Sequence, residues 1–95
     1  MVICISSSMK FEEEIKDQCR KLTSEGHIVL TPVIGIGGHE LFGKGSPLMT
    51  FHKDKINLSD MILVLNVGGY IGDGVRKEID YAITRNIPIE YLEPI

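Results

Sequence analysis

The sequence predicts a compact α/β domain of three layers, with a four-stranded parallel sheet of the Rossmann or flavodoxin-like kind. Three observations carry that expectation. Short runs such as VICIS at 2–6 and MILVLNV at 61–67 are apolar nearly throughout, as strands covered on both faces must be. Segments of helical period separate them. The chain has 95 residues, enough for one domain (1–95) with one modest core, since chains this small bury only roughly 60–65 % of the surface they expose when unfolded.

The first strand, 2–6, stops at SSS. Phe11, Ile15, Cys19 and Leu22 then recur at helical spacing, and Glu12, Glu13 and Glu14 put negative charge in a first turn, where the helix dipole favours it. Ser8 is the expected N-cap and Gly26 the left-handed residue that closes the helix. HIVLTPV at 27–33 reads as a second strand ended by Pro32, which has no N–H for a ladder.

Residues 34–46 hold five glycines and read as a long connection of the length typical of lids and binding loops. Ser46 and Pro47 open a short helix in which Leu48, Phe51, Lys55 and Ile56 supply apolar surface, ending near Leu58. The third strand, 61–67, leads into GGYIGDG and a helix with Val75, Ile79, Ala82 and Ile83 on one face. Asn86 closes that helix, and IPIEYL at 87–92 is the last strand, with Pro88 near its start. Right-handed crossovers turn this order into a parallel sheet with helices on both faces.

Composition narrows the function. Ten basic against thirteen acidic residues give a net charge of −3, without the basic stripe that binding a nucleic-acid polymer requires. Cys4 and Cys19 fall in apolar patterns and form neither a CxxC nor a Cys/His cluster, so no disulfide, metal or other cofactor is expected. No apolar stretch nears the roughly 20 residues of a membrane span, and the first apolar run lacks a basic leader, so the expected setting is the cytoplasm, away from membranes.

In an open parallel sheet, ligands bind beyond the carboxyl ends of the strands, where the strand order reverses. SSSMK, the glycine-rich loop and NVGGYIGDG meet there. Ser6, Ser7 and Ser8 offer hydroxyls and backbone donors for a phosphate or sugar group, or serve as ordinary caps. GIGG at 35–38 precedes no clear helix and reads as loop rather than phosphate cradle. Gly68, Gly69, Gly72 and Gly74 permit positive φ and close approach, Asp73 can cap the next helix, and Glu78 lies about a turn inside it at the margin of the buried face. A carboxylate there can stabilise or attack an electron-poor carbon, or it belongs to a solvated Arg76, Lys77, Glu78 cluster. Asp60 fits a loop cap, His52 packing or chemistry on the short helix, and Tyr70 either a cover for a ligand or filling of the turn.

The segments ISSSMKF, EGHIVLTP, HKDKINLSDMILVLN and above all GGYIGDGVRKEIDYAI resemble the nucleoside 2-deoxyribosyltransferase-like superfamily, which includes deoxynucleoside 5-monophosphate N-glycosidases. The resemblance covers most of the chain. It implies that Glu78 is the nucleophile in a double displacement at C1′ of a 2-deoxynucleoside or its monophosphate, with a base or water resolving the glycosyl ester. It further implies that Asp60 or Asp73 assists the leaving base. Ser6, Ser7 and Ser8 would hold the sugar 5′ group or a phosphate, and His52, Asn66, Gly69, Tyr70, Gly72 and Gly74 would line the substrate. The chain departs from the pattern in reading SSSMK where relatives carry a Gly-Ser turn, and in lacking their early tyrosine. A non-catalytic nucleotide-binding module and a structural or interaction domain are the other readings. Relatives add a further strand and C-terminal residues, so a homodimer or larger assembly is expected, with Leu48, Phe51 or Ile79 at the contact.

Overall fold

The computed structural model describes the backbone of residues 1–32 and 48–95 and the side chains of 1–32 and 51–95. The expectations for residues 34–46, for the Ser46–Pro47 cap and for the side chain of Leu48 lie outside the described residues. Strand β1 (Val2–Ser6) is followed by a single 3-10 turn (Met9–Phe11), helix α1 (Glu12–Ser24) and strand β2 (Ile28–Leu30). Helix α2 (Leu48–Asn57), strand β3 (Met61–Val64), a second 3-10 turn (Val67–Gly69), helix α3 (Asp73–Thr84) and strand β4 (Ile89–Tyr91) complete the order. Among the described residues the four strands are all parallel, in the order β2-β1-β3-β4, which is the Rossmann or flavodoxin-like arrangement expected.

Residue alternation along the strands divides the core in two. Cys4, Ile62 and Val64 pack with Ile56 of α2 and with Val75 and Ala82 of α3. Ile5 and Leu65 pack with Ile15 of α1 on the other side. The sheet is therefore the middle of three layers. Ile79 packs against the α2/α3 side of the core, and Phe51 is 44 % exposed. Ile83, expected on the buried face of α3, is exposed instead.

The strands are shorter than the apolar runs that announce them. β2 ends at Leu30, opposite Cys4 of β1, two residues before Pro32, which cannot donate to a ladder. β3 ends at Val64: Leu65 still donates to the Ser6 carbonyl (3.0 Å), but Asn66 turns away into a side-chain clasp described below. β4 starts only at Ile89, since Ile87 closes the preceding helix by donating to Ala82 (2.9 Å).

Both long helices end in the same way. His27 N–H reaches back to the Leu22 carbonyl (3.1 Å) as Ile87 N–H reaches Ala82, and the residues just before, Gly26 (φ +93°) and Asn86 (φ +57°), take the left-handed conformation that this closure needs. The starts differ from expectation. Ser8 caps the 3-10 turn, its hydroxyl accepting from Lys10 N–H (3.4 Å), so that α1 proper begins at Glu12. Asp73 is the first residue of α3 rather than its cap; Gly72 occupies the cap position without a side-chain hydrogen bond.

Candidate functional site

β1 leads to one side of the sheet, to β2, and the chain then crosses back to form β3 on the other side of β1. The strand order reverses between β1 and β3, and the crevice beyond their carboxyl ends is where this architecture takes ligands. Ser6 is the last residue of β1. One step of strand alternation from Ile5 turns it to the same side as Cys4, toward α2 and α3, and there it is fully buried. Its hydroxyl donates a hydrogen bond to Oε1 of Glu78.

Glu78 is carried by α3 between Val75 and Ala82, both buried. That spacing of three and four residues turns its carboxylate toward the sheet, and it is 9 % exposed. His52 comes from α2, four residues before the fully buried Ile56, and is 6 % exposed. Its Nε2 stands 3.3 Å from Oε2 of Glu78 and 3.9 Å from the Cys4 sulfur. Each carboxylate oxygen therefore faces its own partner, one from the sheet and one from a neighbouring helix. An uncompensated buried carboxylate costs several kcal/mol, and these two contacts are what offset its loss of water.

The arrangement is selective about chemistry. In a serine hydrolase relay the imidazole stands between hydroxyl and carboxylate; here the carboxylate stands between hydroxyl and imidazole, so both Ser6 and His52 bear on Glu78. Cys4 is no nucleophile: burial first, and the negative Glu78 second, push its thiol up to about 12, which keeps it protonated and inert at neutral pH. Both cysteines are free. Among the described residues, no three His, Cys, Asp or Glu side chains gather as a metal-binding set, and no helix is long and apolar enough to cross a membrane.

The two turns at the strand ends meet above this cluster. Tyr70 stacks edge-on against Phe11, with ring centroids 5.8 Å apart, and the Lys10 ammonium lies 3.3 Å from the Tyr70 ring centre. Tyr70 thus ties the β3–α3 turn to the β1–α1 turn while remaining 44 % exposed. Gly72 makes room for it: a Cβ there would lie 3.2 Å from the Tyr70 hydroxyl. Gly68 and Gly69 have φ of +62° and +82°, so the expectation of positive φ holds at these two. Gly74 lies inside the helix with nothing within 4 Å of a Cβ.

Ser6, His52 and Glu78 are brought together, with Ser7 buried beside them and donating to the Ser8 carbonyl (2.9 Å). Two expected residues do other work. Asp60 precedes β3, and in a parallel sheet that is the opposite edge from the ends of β1 and β3; its carboxylate accepts from Val2 N–H (2.6 Å) and its own N–H donates to the Val2 carbonyl (2.7 Å). It cannot assist at Glu78. Asn66 is tied to the chain beyond β4, its amide donating to the Glu93 carbonyl (2.9 Å) and accepting from Glu93 N–H (2.8 Å), so it clasps the end of β3 to Glu93. Asp73 is exposed at the head of α3, five residues from Glu78.

His52 is the contact that pattern reading leaves undecided between packing and chemistry. Its signal is the pair His52 and Ile56 on one helical face: if Ile56 is core, His52 lies one turn along the same buried face. A separate concavity of about 510 Å³ runs along α1, lined by residues including Ile15, Cys19, Thr23 and Thr31. Its cations are already engaged, Lys16 with Glu12 (3.6 Å) and Arg20 with Asp17, and it holds nothing comparable to the buried carboxylate. The strand-end crevice is the better candidate on chemistry.

No protein-family model, curated protein or solved structure matches this chain.

Proposed function

We propose that the chain is a nucleoside 2-deoxyribosyltransferase-like enzyme, cleaving the N-glycosidic bond of a 2-deoxynucleoside or its 5-monophosphate through a glycosyl ester of Glu78. The observation that carries this reading is the buried Glu78 carboxylate, set at the reversal point of the sheet with each oxygen held by a partner. The sequence resemblance had pointed to the same residue as nucleophile.

In the first step a Glu78 oxygen forms a bond to C1′ as the C1′–N bond breaks, the electron pair leaving with the base, which gains a proton. In the second, water or an acceptor base attacks C1′, the ester bond breaks, and the carboxylate is restored. With water, the net change is nucleoside plus water to free sugar and protonated base nitrogen. Ser6 keeps the carboxylate oriented through both steps. Asp73, about 7.5 Å from Glu78 along the helix axis, is the acidic side chain proposed for the leaving base, and Lys10 supplies positive charge for a 5′ phosphate.

Incubation with a panel of deoxynucleosides and their monophosphates, with and without an added base, tests this by chromatography for free base and for transferred sugar. The expected result is base release that Glu78→Ala abolishes while the circular dichroism of the fold persists. Unchanged turnover in Glu78→Ala overturns the reading. The low exposure of Glu78, with both oxygens engaged, favours one second reading, a nucleotide-binding module without turnover; binding of monophosphates without base release would select it.

A further inference from the structure

We infer that His52 is the positioning residue of the Glu78 carboxylate, holding Oε2 through an Nε2–H while Ser6 holds Oε1. The inference rests on the proposed role of Glu78 for its kinetic part and for the ionised state of the carboxylate, and on the structure for the contact that the proton bridges.

A carboxylate only accepts, and an imidazole nitrogen either donates or accepts. The 3.3 Å between Nε2 and Oε2 is within hydrogen-bond reach, and two unprotonated atoms at that separation would repel. With Glu78 ionised, as a nucleophile must be, the proton between them is on Nε2. This fixes the imidazole either as the Nε2–H tautomer or as the imidazolium, and excludes the neutral form protonated only at Nδ1. The Cys4 thiol, 3.9 Å from Nε2, keeps its proton at neutral pH and has the Ile5 carbonyl, also at 3.9 Å, as an acceptor of its own.

The groups facing the imidazole come from three elements. Cys4 and Ser6 lie on β1, Glu78 on α3, and on α2 itself Lys55 is turned to the end of β2, donating to the Thr31 carbonyl (2.7 Å). Glu78 is the one acidic group of this set, so it is the partner that fixes the imidazole proton. A glutamate side chain has three rotatable bonds, and one contact from Ser6 leaves the carboxylate free to turn about it. Two contacts from different elements fix its plane. Because orientation matters most when the C1′ bond forms, the loss of one contact lowers the rate of the chemical step more than it weakens substrate binding.

Two variants and one spectrum test this. His52→Phe keeps the ring bulk in the core but has no donor; His52→Gln carries an N–H at about the same reach. In His52→Phe, kcat is expected to fall about tenfold or more with KM changed less than about threefold, and His52→Gln to recover most of the loss. Equal losses in both variants, or a change confined to KM, overturn the positioning role. Imidazole nitrogen NMR of the wild-type protein at neutral pH is expected to show Nε2 protonated, a preference that Glu78→Ala weakens. A bare Nε2 in the wild type overturns the inference without any assay of turnover. If the wild type releases no base while the spectrum is as expected, the enzymatic reading fails and the hydrogen bond stands.

Discussion

Asn66→Ala tests whether the residue at the end of β3 serves the fold or the ligand. The substitution removes two side-chain to backbone hydrogen bonds, at 2.9 and 2.8 Å, that tie the carboxyl end of β3 to Glu93. A typical intramolecular hydrogen bond contributes about 0.5–1.5 kcal/mol net, so the pair contributes about 1–3 kcal/mol. Glu93 is only half-buried, so water takes up part of the bonding of its freed backbone groups, and the middle of that range, ~2 kcal/mol, is expected. The Gly68 N–H bond to the Glu93 carboxylate (3.1 Å) loses its anchor at the same time. For a domain of this size 1 kcal/mol moves the melting temperature by roughly 4–8 °C, which makes the expected drop roughly 8–16 °C by thermal circular dichroism. Turnover measured well below that temperature changes little if Asn66 is a clasp. A melting temperature within about 2 °C of wild type, combined with loss of base release, would refute the assignment and return Asn66 to the substrate.

Two further outcomes follow from the same packing. Because burial raises the Cys4 thiol from 9.0 to about 12, the unfolded chain loses that proton first as pH rises. The stabilisation is thus complete below about pH 9 and lost progressively between about 9 and 12; urea midpoints at pH 8 and near pH 11 should diverge more in the wild type than in Cys4→Ala, and equal slopes would show that Cys4 is not the source. Gly74 sits within α3 with open space at its Cβ position, so Gly74→Ala should raise stability by about 0.5–1 kcal/mol, read as a higher denaturation midpoint, and a lower one would mean that the helix start needs glycine there.

The fold was legible because its signals are local. A run such as VICIS has one physical reading, a strand shielded on both faces, and the periods in 11–22 and 75–83 place α1 and α3 without reference to anything distant. The ends were less so. MILVLNV is apolar at every position but Asn66, yet β3 ends at Val64 because Asn66 finds partners 27 residues away, and no local pattern announces that. The site divided along the same line. Glu78 was legible from its place next to Val75 and Ile79. His52 was not, because its role depends on how α2 settles against α3, a tertiary contact made through Ile56. Asp60 misled for a complementary reason: being next to a central strand in sequence says nothing about which end of the sheet a residue occupies, until the strand directions are known.

The two carboxylates Asp60 and Glu78 differ in how the fold surrounds them. Asp60 is exposed and accepts one backbone N–H at the amino edge of the sheet, a contact that ties β1 to the loop before β3 with little loss of hydration. Glu78 loses nearly all of its water, and the fold gains nothing from a charge there that an apolar side chain would not supply, since replacing buried ion pairs by well-packed apolar groups is often neutral or stabilising by about 1–4 kcal/mol. A 95-residue domain has a small core, and three of its elements turn a polar side chain into the same buried spot: Ser6 from β1, His52 from α2 and Glu78 from α3. Stability does not require that convergence. The proposed chemistry does, because bond formation at an electron-poor carbon calls for a held, ionised oxygen.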